Sequence, residues 1–255
     1  MSWMPQKYNL EIIVLTPVHV GSGEIATPFE YVLLEDSIGY FDSGSLLQYL
    51  IRKKILTLAD IENGNYRKLR EKINDTFQKN TEARDFISRT IPVYSDKFFA
   101  DYENAIKSQE SDKQMQLDRM TKNDITKDIV LPGSSLKGAV RTAVISYCAN
   151  FRGQKFQLSE TKNGKENYTE KPITGGIDFD PFKNIIFRDI SIDSKNCGIV
   201  APIEIKKNPE KQSTPKNFVE VVMPMDRTIK SEIIFNSKLD FRNAGVVISD
   251  MKQLL

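Results

Sequence analysis

The chain has 255 residues, with 36 Lys and Arg against 34 Asp and Glu and a formal net charge of +2. So mild a balance cannot hold a polynucleotide by bulk attraction; affinity for RNA or DNA would have to come from local basic clusters. One histidine and two cysteines leave too few ligands for most zinc enzymes, although acidic residues are plentiful enough for an oxygen-ligated cation. No cofactor is called for. No apolar run approaches the roughly 20 residues needed to cross a bilayer, and the opening "MSWMPQKYNLEIIVL" lacks the pattern of a secretory signal. With Cys148 and Cys197 outside any pairing pattern, a reduced, cytoplasmic setting is expected.

In chain order, Tyr8, Leu10, Ile12 and Val14 alternate with Asn9, Glu11, Ile13 and Leu15, which predicts a first strand with a well-buried face. Thr16 and Pro17 interrupt it, and Gly21, Ser22 and Gly23 read as a flexible turn. Short strands are expected around Phe29–Leu34 and Ile38–Phe41, flanking a turn at Glu35-Asp36-Ser37. Asp42 or Ser43 then caps a helix reaching Lys54, with Leu46, Leu47, Leu50 and Ile51 on its apolar face.

From about residue 55 to 128 the composition changes. "YRKLREKINDTFQKNTEARDF" and "YENAIKSQESDKQMQLDRM" mix both charges and predict solvated helices, a helical insertion into a single domain spanning 1–255. A second helix begins in "LPGSSLKGAVRTAVISYCAN", followed by the polar, loop-like stretch "FRGQKFQLSETKNGKENYTEKPITGG". Strands return at Ile185–Ile192, Ile199–Ile205, Phe218–Met223 and Ile229–Phe235, and "KKNPEKQSTPKN" has the character of the tip of a long hairpin. Strand, helix, insertion, helix, then several strands argues for an α+β fold.

The second helix carries the strongest chemical signal. The first turn of a helix holds unpartnered N–H groups and partial positive charge. Gly133 permits close approach there, Ser134 and Ser135 offer hydroxyls, and Lys137 and Arg141 share a face one turn apart. Leu136, Val140, Ala143, Val144 and Tyr147 read as the opposing apolar stripe. A nucleotide-hydrolysing P-loop is excluded, because Ala139 and Val140 follow the second glycine, Gly138, where Lys and Ser/Thr would have to stand. An ordinary capped amphipathic helix with two surface cations fits the same residues.

Further candidates flank this helix in sequence. His19 can stack on a base, bond a phosphate, act as a general acid or base, or simply be satisfied at a strand end. Gly21, Ser22 and Gly23 would let a backbone approach. Lys206, Lys207, Lys211 and Lys216 can lie across RNA as a flexible basic loop. Asp178, Asp180, Asp189 and Asp193 invite a metal, but no spacing fixes them together, and a structural role is the better reading.

Three segments, "LTPVHVGSGE" at 15–24, "LPGSSLKGAVRTA" at 131–143 and "FRDISIDS" at 187–194, together resemble the RAMP superfamily of CRISPR proteins. Within it, the first fifty residues, with "PFEYV" and "YFDSGSLLQYL", are most similar to the fifth subunits of type III-A Csm effector complexes. The resemblance implies a ferredoxin-like core of the RNA-recognition type. It implies a non-catalytic subunit that holds the 3′ part of a crRNA, caps the subunit filament, aids crRNA maturation and touches neighbouring Csm backbone subunits and target RNA. Read beside it, His19, Gly21, Ser22, Gly23, Gly133, Ser134, Ser135, Lys137, Arg141 and the loop lysines Lys206, Lys207 and Lys211 are the expected RNA contacts. Members are usually longer, with a further C-terminal region beyond the position of "MKQLL". A metal-independent CRISPR endoribonuclease using His19, and a protein-interaction scaffold working through the helical insertion, are the rival readings.

Overall fold

The computed structural model describes residues 4–62, 64–108, 115–151, 156–203, 217–225 and 228–250. Its architecture is mixed α+β, with short strands gathered into several small sheets. The chain divides into two compact units, each assembled from separated stretches: Met1–Ile13, Leu131–Ile190 and Arg227–Leu255 form one, Val14–Val130 and Ser191–Asp226 the other.

In the first unit the strand Gln6–Ile12 pairs antiparallel with Ile229–Phe235 over its whole length, Gln6 opposite Phe235 and Ile12 opposite Ile229. The far edge of Ile229–Phe235 takes up Ile185–Phe187, completing a three-stranded sheet. Ile185, Phe187, Ile233 and Phe235 share a core with Val144, Ile145, Cys148 and Ala149 of the helix Gly133–Asn150. The hairpin Leu239–Phe241/Val246–Ile248, closed at Gly245 with φ +65°, adds Leu239, Phe241, Val246 and Ile248 to that core. Phe182 meets Phe241 edge-on at 5.6 Å.

The expected strand Ile185–Ile192 is broken into Ile185–Phe187 and Ile190–Ile192. The reason is contact with the distant helix start: Asp189 turns its carboxylate to Gly133 N–H at 2.7 Å, and the backbone of Phe187 and Arg188 abuts Gly133. The polar stretch after the helix is more ordered than its composition implies. Ser159–Lys162 pairs with Lys165–Tyr168 across Asn163-Gly164, both with positive φ, as a two-residue hairpin turn requires.

The second unit holds a four-stranded sheet in the order Cys197–Val200, Phe218–Val222, Leu117–Met120, Gly21–Ala26, with the middle pairing parallel. A three-stranded antiparallel sheet joins Tyr31–Leu33, Ser37–Phe41 and Ile87–Pro92. The helix Ser43–Arg52 is capped as expected: Asp42 accepts from Ser45 N–H at 2.8 Å. Leu46, Leu50, Ile73 and Phe77 pack with Val32 and Phe41.

The stretch 55–128 does carry helices, Leu58–Glu62, Tyr66–Lys79 and Asp96–Lys107. It also supplies Ile87–Pro92 and Leu117–Met120, strands that pair with partners outside the stretch. Gly21, Ser22 and Gly23 are not a free turn. They open the strand Gly21–Ala26, and the positive φ of Gly23 (+81°) falls in the irregular register between Gly21 and Ile25. The proposed hairpin tip with Lys206, Lys207, Lys211 and Lys216 lies outside the described residues. Among the described residues no helix is long and apolar enough to cross a membrane.

Candidate nucleic-acid interface

The start of the Gly133–Asn150 helix is a corner shaped by its own chain. A Cβ on Gly133 would stand 2.0 Å from the Phe187 carbonyl oxygen, so glycine is required for close packing of backbone on backbone. Asp189 already neutralises one of the unpartnered N–H groups, that of Gly133. Ser134 and Ser135 are exposed beside it.

Lys137 and Arg141 do share a face, but it is the inward one. The helix buries Val144, Ile145, Cys148 and Ala149, while Ala143 and Tyr147 are exposed, so the expected stripe is rotated towards the cations. Lys137 Nζ donates to the Ile185 carbonyl at 2.9 Å. Burial holds its pKa below the ordinary lysine value, and Arg141 nearby acts in the same direction against the opposing pull of Asp180.

Arg141 donates through Nε to Glu170 at 2.7 Å and through Nη1 to Asp180 at 2.7 Å, and its guanidinium lies 4.9 Å from the Phe182 ring centre. Burial alone would lower its pKa, but the bonds to Glu170 and Asp180 outweigh that and raise it. Arg141 is a neutralised clamp between two carboxylates.

The other candidates belong to the second unit. His19 is exposed, and its Nδ1 lies 2.6 Å from the Glu220 carbonyl oxygen. A carbonyl only accepts, so Nδ1 carries the proton and Nε2 is left for another partner. A Cβ on Gly21 would come within 2.8 Å of that Nε2, which makes Gly21 the residue that leaves room for the imidazole. Ser22 Oγ donates to the Arg119 carbonyl at 3.3 Å and accepts from Glu24 N–H at 3.1 Å. Gly21–Ala26 is an edge strand, so one side of its backbone lacks a strand partner among the described residues. Lys122 and Arg119 approach it but are drawn to Glu24, at 2.9 Å and 3.7 Å.

Behind this edge is a buried acid that sequence reading did not find. Glu220 is fully buried; it accepts from the Tyr40 hydroxyl, from Arg89 Nη2 at 2.7 Å and from Met120 N–H at 2.8 Å. Arg89 and Arg119 each lie 4.7 Å from the centre of the Tyr40 ring. Burial first, then the Glu220 charge, pushes the Tyr40 hydroxyl well above the usual tyrosine range. In sequence, Glu220 is one carboxylate in an apolar run, "FVEVVM", and that isolation was its only signal.

Of the four aspartates considered, Asp180 serves Arg141 and the Phe182 N–H, Asp189 serves Gly133, and Asp193 caps Lys195 N–H at 3.1 Å. Among the described residues no group of three His, Cys, Asp or Glu is placed to hold a metal ion. The structure brings His19 together with Gly21, and Ser134 and Ser135 together with Lys137 at one helix start, and it places these two sets in different units.

No curated protein sequence matches the chain. Among solved structures it is similar to T. onnurineus Csm5, with a TM-score of 0.53 at 18 % identity over 95 % of this chain and 68 % of that one. It is also similar to a chain in the cryo-EM structure of a Csm–crRNA–target RNA ternary complex of a type III-A CRISPR-Cas system. There the TM-score is 0.50 at 20 % identity, over 90 % of this chain and 63 % of that one, less than two thirds of its length. At these identities the likeness is one of fold. A sequence model of the RAMP superfamily matches residues 11–244, a span that runs through both units. The chain belongs to the RAMP superfamily.

Proposed function

We propose that this chain is a non-catalytic crRNA-binding subunit of a type III-A CRISPR effector complex, resident in the cytoplasm. In this reading it caps the 3′ end of the crRNA, aids its maturation, and contacts neighbouring Csm subunits and target RNA. The observation that carries the reading is the RAMP match over residues 11–244, joined to a fold similar to Csm5 along 95 % of the chain. We include in it a ferredoxin-like core, a long β-hairpin and RNA contacts by Lys206, Lys207 and Lys211, which lie outside the described residues.

RNA backbone is held by sequence-blind contacts, which suit a subunit that must accept many guides. At the helix start these fall to Ser134, Ser135 and the protons of Lys137 not used by Ile185, next to the tight corner at Gly133. Arg141 acts from behind as a positioning residue, since both of its carboxylate partners come from its own unit. On the other unit the exposed edge at His19, Gly21, Ser22 and Gly23 offers a ring nitrogen and unpaired backbone groups to the same kind of ligand. His19 donates Nδ1–H to the carbonyl of Glu220, and among the described residues no nucleophile is hydrogen-bonded to its Nε2, so binding is the better reading.

The test is an electrophoretic shift with repeat-containing RNA. Retardation without scission is expected, and Lys137→Ala should flatten the salt dependence by about one phosphate contact. Metal-independent cutting that disappears in His19→Ala would replace this reading with the endoribonuclease one.

A further inference from the structure

We propose a second, separate RNA contact: a pocket for one splayed-out nucleotide in the first unit, with Phe179 as its stacking platform. It rests on the RNA-binding reading above. The pocket is a cavity of about 500 Å³ between the segment Ile173–Asn184 and the hairpin residues Lys238–Asn243, within the roughly 300–1,000 Å³ typical of small-ligand sites.

Its lining matches the parts of a nucleotide. Phe179 is 78 % exposed, and among the described residues its ring has no aromatic partner. It stands at the rim because Gly175 (φ +79°) and Gly176 (φ +94°) reverse the chain beneath it, with a Gly175 Cβ position only 3.2 Å from Phe179 Cβ. An aromatic face held in water is a platform for a base of any identity. Half-buried Asn184 lines the cavity with a side-chain amide that makes no hydrogen bond to described residues, leaving donor and acceptor for a base edge.

Charge follows the same plan. Lys238 is exposed and forms no ion pair with a described residue. Arg242, with its side chain 86 % exposed, pairs at 3.2 Å with Asp240, the one carboxylate among the described lining residues. Two cations against one acid leave a positive site for a phosphate. The platform is also held in place: Glu170 and Asp180, which bracket the segment carrying Phe179, are both bonded to Arg141.

The experiment uses the full chain and repeat-containing RNA substituted with 4-thiouridine, read by binding titration and by mass spectrometry of photocrosslinked peptides. Phe179→Ala should weaken binding about tenfold, while Phe179→Trp retains it. The pair Lys238→Ala and Arg242→Ala should lower the salt slope by up to about two units. Crosslinks should fall on the peptide containing Phe179. All three side chains are exposed, so unchanged melting curves will separate lost binding from lost fold. If wild type binds the RNA but Phe179→Ala binds equally well, the pocket is refuted and the RNA reading stands. If wild type binds no RNA, both fall. Should an acidic tyrosine-rich peptide bind in a Phe179-dependent way while RNA does not, the site belongs to a protein partner and the nucleotide assignment is overturned.

Discussion

Arg141 and Asp180, 39 positions apart in sequence, are joined by a 2.7 Å hydrogen bond, and the same guanidinium reaches Glu170. One side chain thereby fixes both ends of the 170–180 segment. The arginine side chain keeps 26 % of its exposure and each carboxylate 20 %, so the clamp is worth less than a fully buried pair. Arg141→Ala should lower stability by about 1–3 kcal/mol in urea unfolding, because two carboxylates are left facing each other. Arg141→Lys should recover only part of this, since an ammonium cannot fork between two acids.

Two glycines of the same helix should respond in opposite directions. At Gly133 a methyl group would collide with the Phe187 carbonyl, a backbone atom that cannot swing away, whereas Gly138 has open space around it. Gly133→Ala should cost more than about 3 kcal/mol or prevent folding. Gly138→Ala should gain about 0.5–1 kcal/mol from reduced backbone entropy. Thermal melting of the two variants side by side checks both signs.

Glu220 should be the most sensitive acidic residue of its unit. Removing it strands Arg89, whose side chain is only 11 % exposed, together with the Tyr40 hydroxyl and Met120 N–H. Glu220→Ala should destabilise by about 3–5 kcal/mol. Replacing Glu220 and Arg89 together by leucine and methionine should be far milder than the single change, because no buried charge is then left alone. Chemical denaturation of the three proteins tests this.

The two thiols should be silent in the folded protein. Burial pushes Cys148 up to about 11, and burial with the Glu220 charge pushes Cys197 up to about 12. At pH 8 roughly one Cys148 in a thousand is thiolate, so iodoacetamide should label neither residue until the protein is unfolded. Both pKa values are raised above the ordinary value of 9.0. The stability these neutral thiols contribute is therefore complete below about pH 9 and is lost as pH climbs through 11 to 12. Stability that rises over that alkaline range would contradict the assignment.

Local patterns were readable from the chain wherever the contacts were local. Ile229–Phe235 matches its expected boundaries, and the Asp42 cap follows from residues three apart. What escaped depended on distant partners. Lys137 and Arg141 read as a polar face, yet Ile185, Glu170 and Asp180 draw them inward, turning the buried stripe towards Ile145 and Cys148. Ile87–Pro92 was hidden in a charged stretch, where only the spacing of Ile87 and Ile91 marked a strand. The hairpin at Asn163-Gly164 did have a local signal, the dipeptide itself, but the polar composition around it masked the alternation. The candidate site was legible by residue type and not by orientation, because a side chain's direction is set by what it meets across the fold.

The Arg141 fork is not the sole latch on this segment: Ile173 sits in the core and Asn243 Nδ2 donates to the Pro172 carbonyl at 3.0 Å. When the Arg141 fork lets go, the Asp180 end should therefore loosen first, and its amides should exchange with deuterium faster than those around Ile173.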